Sequence, residues 1–550
     1  MSAGAVAPAG ADPAGQAPGD KGLRRLIAEL LVVRASGHLS DPQRRYPRWE
    51  LPNRELQALL EQGVGGVILL GGSAAELALR TRQLQGWAGR PLLLCADVEE
   101  GVGQRFEGAS WLVPPLALGR LHDRAPGRAL ALAERYGRCT GRDARAVGLN
   151  WVLAPVCDVN NNPSNPVINV RAWGEDPATA GALAAAFSRG LQASGVLGCA
   201  KHFPGHGDTT SDSHLELPVL PHSRARLEAV ELPPFRAAIA AGVGAVMTAH
   251  LSLPALDPDR PATLSSAVLG GLLREQLGFT GLVVTDALVM EAIAGRYGTG
   301  EAAVLALEAG ADLVLMPADA HAAIAAIAVA VAGGRLSRER LEASAARRRA
   351  ALAALPDQGR TAADPVQAAA PDPGLARELV TATLEARDRV PPPMACPTGV
   401  NLIRVDQALQ APFLPASAPA VSIAAAAGFR PCLLAGDTTS AWSGIPHAPL
   451  ALERLGKGPV LVQLFVRGNP FRGLAGGTEP WPAALHQLLA AGRLAGLAVY
   501  GSPYVWDELQ ALLPAELPAA YSPGQMPLAQ QAVLEALGLV PEAGDGGFTD

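Results

Sequence analysis

Several residue types are scarce in this sequence, and each shortage excludes a class of protein. Only three of its 45 basic residues are lysine (Lys21, Lys201 and Lys457), and the formal net charge is −6. A chain with no basic patch and no run of like charge is not built to bind nucleic acid. The six cysteines are scattered with no close pairs, which predicts free thiols in a reducing compartment and no disulfide framework.

Long apolar runs are also missing. No uninterrupted apolar stretch of about 18 residues is present to span a membrane. The first 20 residues lack the basic and apolar regions of a signal peptide and are rich in Ala, Gly and Pro. We therefore expect residues 1–21 to form a disordered leader and the protein to be cytoplasmic.

Short apolar runs alternate with helical patterns from residue 22 onward. Hydrophobic residues make up 49% of the chain, which is enough for a large core. Continuous apolar runs between helices predict parallel strands buried on both faces, and about eight such units predict a (β/α)8 TIM-type barrel over 22–355. The predicted barrel strands are 65–70, 91–97, 149–154, 196–201, 244–250, 281–286 and 312–316.

A second α/β pattern follows the barrel. Residues 356–375 are rich in Pro, Ala and Asp and predict a linker. Residues 376–542 predict a smaller, open α/β sandwich domain, whose role the sequence does not indicate. Its predicted strands are 399–405, 421–424, 459–466 and 497–500, and its predicted helices lie near 375–387, 481–491 and 526–537.

Polar or ionisable residues stand where several predicted barrel strands end. They are Asp97, Lys201 with His202, His250 and Asp286. Catalytic groups of such barrels gather at the carboxyl ends of the strands, because all parallel strands end at the same rim. The pattern predicts an enzyme whose active site lies at that end of the barrel.

The segment from Lys201 to His214, KHFPGHGDTTSDSH, is a dense group of polar residues. Its position after a buried strand favours a functional loop over a solvated loop with satisfied histidines. Asp212 and His214 are spaced to form an acid–base dyad, in which the carboxylate holds the imidazole tautomer and raises its pKa. The alternative is a metal site made of His202, His206, Asp208 and His214. Pro204 and two glycines disfavour the helix that a His-x3-His metal pair needs.

Carboxylates and arginines elsewhere complete the predicted site. Asp286 ends an apolar strand, and a carboxylate at the mouth of a barrel is a candidate nucleophile, with a helix N-cap as the alternative. Asp97 is a candidate acceptor of hydrogen bonds from two substrate hydroxyls. Arg105 is placed to steer that carboxylate or to bind a carbonyl, and Arg171 is a further polar candidate.

Five segments, in order along the predicted barrel, resemble glycoside hydrolase family three, in particular the NagZ-type β-N-acetylglucosaminidases. They are CADVEEGVGQRF (95–106), LAPVCDVNNNPSNPVINVRAWGEDP (153–177), KHFPGHGDTTSDSH (201–214), VMTAHLSLPALD (246–257) and PATLSSAVLGGLLREQLGFTGLVVTDALVM (261–290). The histidine loop is highly specific, because other branches of the family usually lack its downstream Asp-x-His.

The resemblance implies roles for individual residues. It implies that Asp286 is the nucleophile and that His214, paired with Asp212, is the general acid and base. The substrate-binding residues that it implies are Asp97, Arg105, Arg171, Lys201 and His202. The sequence departs from the family pattern at 97–105, which reads DVEEGVGQR and lacks an earlier arginine, and this difference bears on loop shape and aglycone preference.

The implied reaction is a double displacement with retention at the anomeric carbon. It releases terminal β-linked N-acetylglucosamine from small carbohydrates such as cell-wall fragments or muropeptides in peptidoglycan recycling, and it needs no cofactor. A histidine acid–base does not repel an anion, so an N-acetylglucosaminide phosphorylase is one variant of this prediction, and a broader β-glucosidase is another. A metal-dependent barrel hydrolase and a non-catalytic sugar-binding protein are the alternatives from other classes.

Overall fold

The computed structural model describes most of the chain. The described residues are 20–213, 215–356, 371–387, 398–405, 414–435, 442–445, 448–467 and 479–539. Most of the predicted leader and linker, and His214, lie outside them. Within these ranges, no helix is long and apolar enough to cross a membrane.

Eight parallel strands form the first sheet. They are β1 (Leu31–Ser36), β2 (Gly66–Leu70), β3 (Leu93–Ala96), β4 (Trp151–Val152), β5 (Leu197–Phe203), β6 (Ala245–Thr248), β7 (Leu282–Val284) and β8 (Val314–Leu315). Their order in the sheet is β7-β6-β5-β4-β3-β2-β1-β8. A parallel bridge between Val284 and Leu313 joins the two edges and closes the barrel. The predicted (β/α)8 barrel is confirmed, and β1 is a strand that the sequence analysis did not predict.

Helices surround this barrel. They are Lys21–Glu29, Asn53–Gln62, Ala74–Ala88, Leu116–Arg124, Pro126–Ala146, Pro177–Ala193, Pro233–Ala240, Ala267–Gln276, Glu291–Tyr297, Thr299–Ala309, Ala320–Ala332 and Arg338–Ala353. Shorter helical turns lie at Asp41–Gln43, Val102–Gln104, Asn169–Arg171, Arg224–Arg226, Leu227–Glu231 and Ala262–Leu264. Several helices are capped at their first turn by a side chain that accepts a hydrogen bond from a backbone N–H group. Ser73 accepts from the N–H of Glu76, and Asp176 accepts from the N–H of Thr179.

The helices Pro126–Ala146 and Pro177–Ala193 pack with their backbones in close approach. A Cβ atom at Gly190 would lie 1.9 Å from the Glu134 carbonyl oxygen, and one at Gly137 would lie 2.1 Å from that of Phe187. Only glycine fits at these two positions, because any side chain would push the helices apart. The contact holds in place the helix that leads into β5.

Inward-facing side chains of the strands form an apolar layer inside the barrel. This layer includes Val32, Cys95, Cys199 and Val284. Because successive residues of a strand face opposite sides, the residue two positions further along faces inward again. Those residues are Arg34, Asp97, Lys201 and Asp286. The strand alternation therefore places four charged residues on the inner side at the carboxyl end of the barrel.

A second sheet follows the barrel. Its strands are β9 (Glu385–Ala386), β10 (Gly399–Val405), β11 (Phe429–Ala435), β12 (Val460–Val466), β13 (Leu494–Gly501) and β14 (Ala519–Ser522). Their order is β11-β10-β12-β13-β14-β9, and all neighbours are parallel except β9, which is antiparallel to β14. The helices of this part are Pro373–Thr383, Pro419–Ala426, Trp481–Ala490, Pro503–Gln510 and Pro527–Ala536. The predicted smaller α/β domain is confirmed.

The prediction of a strand at 421–424 is wrong. These residues lie inside the helix Pro419–Ala426, which has proline at its first position and four alanines after it. Proline at the first helical position and alanine within the helix both favour helix formation. A four-residue apolar run does not distinguish a strand from a buried helix, and the neighbouring strand is β11, at Phe429–Ala435.

The second domain contacts the loops that follow β3 and β4. Arg467, which follows β12, has its Nη2 atom 2.5 Å from Oε1 of Glu100. The Tyr504 hydroxyl donates to Oε1 of Glu175 at 2.8 Å and accepts from Nδ2 of Asn160 at 2.7 Å. These polar contacts bring the second domain to the carboxyl end of the barrel, where the charged residues lie.

Candidate active site

Four charged side chains form one connected cluster at the mouth of the barrel. The Nζ atom of Lys201 lies 2.7 Å from Oδ1 of Asp97 and 2.6 Å from Oε1 of Glu99. Arg171 donates from Nε and Nη2 to the two carboxylate oxygens of Glu99, at 2.8 Å each. The Glu99 side chain is buried, whereas that of Asp97 is 38% exposed. Asp97 is therefore the carboxylate of this cluster that a ligand can reach.

The cluster keeps its charges although it is buried. Burial acts to raise the pKa of Glu99, but the positive charges of Arg171 and Lys201 outweigh it and hold that pKa well below its usual value. Burial acts to lower the pKa of Lys201, and the carboxylates of Asp97 and Glu99 raise it above its usual value. Glu99 and Lys201 are held in their ionised forms by these partners, so they form a fixed acceptor and a fixed donor within the cluster.

A buried carboxylate anchors the start of the histidine loop. Oδ2 of Asp158 lies 2.8 Å from Nδ1 of His202, and Oδ1 accepts from the backbone N–H of His206 at 2.7 Å. Burial acts to raise the pKa of Asp158, but the interactions with His202 and His206 together outweigh it and the pKa is lowered. Asp158 therefore orients the His202 ring and leaves its Nε2 atom to face other groups.

His206 and Asp208, two residues of the alternative metal site, contact side chains that do not belong to that site. Nδ1 of His206 lies 2.8 Å from the Thr209 hydroxyl, and Nε2 lies 2.9 Å from the Ser213 hydroxyl. Burial lowers the pKa of His206 to about 4, so its ring is neutral near pH 7. Asp208 lies 2.9 Å from Nε2 of His222. In the part of the chain that the structure describes, no group of three or more His, Cys, Asp or Glu side chains is arranged to hold a metal ion.

The far end of the loop carries the predicted acid–base dyad. Asp212 is buried, and its backbone carbonyl accepts from the N–H groups of Leu215 and Glu216 at 2.9 and 3.0 Å. Its neighbour Ser213 is bound to His206. These bonds fix the backbone of Asp212 against Leu215 and Glu216. His214 lies outside the described residues.

Asp286 lies just past the end of β7. Its backbone N–H donates to the Thr248 hydroxyl at 3.4 Å, and its Oδ1 atom accepts from the N–H of Ala287 at 2.7 Å. The following helix begins at Glu291, with Met290 at the cap position. The alternative interpretation of Asp286 as a helix N-cap is wrong, because four residues lie between it and the first residue of the helix.

Arg105 lies at the edge of the cluster. It is exposed, and its Nε atom donates to the backbone carbonyl of Asp97 at 3.1 Å. The structure thus brings Asp97 into direct contact with Lys201 and links Arg171 to Lys201 through Glu99, with Arg105 bound to the Asp97 carbonyl. His202 belongs to the same strand end as Lys201, through its position in β5.

The sequence analysis missed three charged residues that the structure places at this end of the barrel. They are Arg34, Glu99 and Asp158. Each carried a weak signal, because each interrupts or follows an apolar run: LVVRAS, LLLCADVE and VLAPVCD. An isolated charge within such a run is an unusual residue for a buried strand.

Two family descriptions match the chain along nearly all of its length. The glycosyl hydrolase family 3 N-terminal domain matches residues 23–350, and the bacterial glycosyl hydrolase family 3 C-terminal domain matches residues 394–538. The chain therefore belongs to glycoside hydrolase family 3. The first match covers the barrel with the charged cluster, and the second covers the smaller domain.

Proteins of this family that the chain is similar to include β-hexosaminidases. A β-hexosaminidase of Stenotrophomonas maltophilia (strain K279a) is 38% identical over 271 residues, which are 48% of this chain and 80% of that protein. Beta-hexosaminidase A of Pseudoalteromonas piscicida is 34% identical over 328 residues, which are 54% of each protein. A solved family 3 β-N-acetylglucosaminidase from Paenibacillus sp. is 31% identical, with a TM-score of 0.72, over 94% of this chain and 97% of that one.

Proposed function

We propose that this protein is a retaining glycoside hydrolase that releases terminal β-linked N-acetylglucosamine. The observation that carries the proposal is the cluster of Asp97, Glu99, Lys201 and Arg171, which presents fixed charges of both signs beside the strand end of Asp286. Such a set of donors and acceptors suits a sugar, which is uncharged and rich in hydroxyl groups. The similarity to a β-N-acetylglucosaminidase over both domains supports the choice of sugar.

The proposed sugar-binding residues are Asp97, Arg105, Arg171, Lys201 and His202. Asp97 accepts hydrogen bonds from two hydroxyls, because its side chain is the accessible carboxylate of the cluster. Glu99 is buried, contacts both Lys201 and Arg171, and holds these two cations in position. It does not bind the sugar itself. His202 donates or accepts through Nε2, since Asp158 engages its Nδ1 atom.

The proposed chemistry uses three residues. Asp286 attacks the anomeric carbon, a bond forms between this carbon and a carboxylate oxygen, and the bond to the leaving oxygen breaks. His214 gives its proton to that oxygen, and Asp212 stabilises the charged imidazole. Neutral His214 then takes a proton from water, the water oxygen bonds to the anomeric carbon, and the bond to Asp286 breaks. Two inversions at one carbon give net retention.

The natural substrates we propose are cell-wall fragments or muropeptides, cleaved in the cytoplasm during peptidoglycan recycling. This part of the proposal rests on the resemblance of the 201–214 loop to the NagZ-type enzymes. A fragment with a terminal N-acetylglucosamine and a bulky remainder fits a site at the rim of a barrel, because only the terminal sugar has to enter.

A panel of chromogenic β-glycosides tests the proposed function. The protein is assayed with the N-acetylglucosaminide, glucoside and xyloside of 4-nitrophenol, with and without phosphate. We expect cleavage of the N-acetylglucosaminide and first appearance of the β-anomer by proton NMR. First appearance of the α-anomer would contradict a covalent intermediate, and a preference for the glucoside would contradict the choice of sugar.

A further inference from the structure

Arg34 is a charged residue on the inner face of the barrel that the proposed mechanism does not use. In β1 it pairs in register with Ile68 of β2, which pairs with Cys95 of β3. Both of these neighbours belong to the apolar interior of the barrel. Residues paired in register face the same side of a sheet, so Arg34 faces inward as well. Two residues beyond Cys95 lies Asp97, the carboxylate that we assign to the sugar.

The guanidinium group of Arg34 is partly buried and not saturated with hydrogen bonds. It lies over the rings of Tyr46 and Trp49, at 5.2 and 5.8 Å from their centroids. Its nearest carboxylate is Glu50, with Oε1 3.9 Å from Nη2, and only 16% of the Arg34 side chain is exposed. Within the described residues, none of its N–H groups reaches an acceptor at hydrogen-bond distance. A guanidinium carries five donors, and those of Arg34 are open to a ligand that enters from the rim.

Arg105 is a second guanidinium at this rim of the barrel. Its Nε atom donates to the Asp97 carbonyl at 3.1 Å, and its two terminal nitrogens reach no acceptor among the residues that the structure describes. Burial lowers the pKa of Arg34; Glu50 and Asp97 act to raise it, and the positive charge of Arg105 lowers it further. Positive charge therefore stands at the rim where Asp97, the proposed sugar ligand, lies.

We propose that Arg34 forms an oxyanion-binding subsite beside the sugar pocket, with Tyr46 and Trp49 as its aromatic wall. Its ligand is a carboxylate or phosphate group, because a guanidinium binds both through paired N–H donors. The anion belongs either to the leaving group of the glycoside or to free phosphate. This inference rests on the proposed function, because it places the anion next to the sugar that this function requires.

The test compares a neutral with an anionic leaving group. Rates are measured for 4-nitrophenyl β-N-acetylglucosaminide and for its ring-carboxylated analogue, each with and without inorganic phosphate, in the whole chain and in Arg34→Gln. We expect the ratio of kcat/KM for the anionic over the neutral glycoside to fall roughly tenfold or more in the variant, which is the effect of one charged hydrogen bond. If free phosphate is the ligand, phosphate changes the rate of the wild type, and we expect this change to be absent in the variant.

Matched controls separate binding from folding. Arg48→Gln removes a guanidinium that also lies over Trp49, at 5.9 Å, but is exposed, and we expect it to leave the ratio and the phosphate response unchanged. Arg34→Lys keeps the charge without the paired donors, so we expect an intermediate ratio, and thermal unfolding checks that each variant folds. Equal losses with both glycosides in Arg34→Gln, or an unchanged ratio together with an unchanged response to phosphate, would overturn the subsite.

A direct measurement of phosphate binding distinguishes a failure of the subsite from a failure of the proposed function. Phosphorus NMR line broadening by the wild type and by Arg34→Gln needs no turnover. If the wild type cleaves no N-acetylglucosaminide but broadens the phosphate signal through Arg34, the proposed function fails and the subsite stands. If it neither cleaves nor binds phosphate, both fail.

Discussion

The Nε2 atom of His250 lies 3.1 Å from the carbonyl oxygen of Ala287, the residue that follows Asp286. The other ring nitrogen, Nδ1, lies 2.8 Å from the hydroxyl of Thr263. That hydroxyl is 2.8 Å from the hydroxyl of Thr248, which accepts from the N–H of Asp286. His250 is fully buried. The backbone on both sides of Asp286 is therefore tied to the end of β6.

We expect His250→Ala to lower kcat by about tenfold to a hundredfold while KM changes little. The reason is geometric, because a nucleophile displaced by about 1 Å loses rate without losing contacts to the sugar. His250→Gln keeps a donor toward Ala287 and should recover part of the rate. Steady-state kinetics check the split between kcat and KM, with His122→Ala, on an outer helix, as the control. A parallel rise of KM in His250→Ala would contradict a positioning role.

Replacing Asp286 by Ala should lower kcat by several orders of magnitude, because it removes the covalent step. Azide offers a decisive measurement, since this small anion can attack the anomeric carbon in the space left by the carboxylate. With an activated aryl glycoside, we expect azide to restore cleavage and to give an α-glycosyl azide, identified by NMR. Near-normal turnover of the variant without azide would show that the nucleophile lies elsewhere.

We expect Glu99→Ala to destabilise the fold by about 3–5 kcal/mol, because it leaves the buried cations Lys201 and Arg171 without a shared partner. Glu134→Ala is the matched control. It breaks an exposed ion pair with Arg138, which contributes about 1 kcal/mol or less. Urea unfolding of both variants gives the two free energies. Similar values for the two would mean that the cluster is more hydrated than its burial indicates.

The stability of the protein should fall as the pH drops from 6.5 toward 4, in part because of His206. The folded state keeps this ring neutral down to its pKa of about 4, whereas the unfolded chain binds a proton from about 6.5 downward. The unfolded state therefore gains protons first, and unfolding becomes easier. Between pH 7 and 4.5, we expect the wild type to lose about 2–3 kcal/mol more than His206→Gln, measured by urea unfolding. Parallel curves for the two proteins would mean that His206 titrates normally.

Much of the fold is predictable from the chain alone, and the failures have physical causes. Seven barrel strands were predicted because buried parallel strands are continuous apolar runs. The strand β1 was missed because Arg34 interrupts its run, and the interruption comes from its position at the rim. The apolar run at 421–424 was assigned to a strand because four residues are too short to show a helical period, although Pro419 marks the start of a helix.

The sequence by itself determined which residue types stand at the strand ends, because a polar residue after an apolar run marks the point where a strand leaves the core. That was enough to predict Asp97, Lys201 and Asp286 as neighbours at one rim. Only the tertiary structure decided how the charges pair. Glu99 meets Arg171 and Lys201 across large sequence separations, and the Arg34 guanidinium lies over the rings of Tyr46 and Trp49. Ion pairs depend on distances of a few ångströms, and only the closed barrel sets these distances.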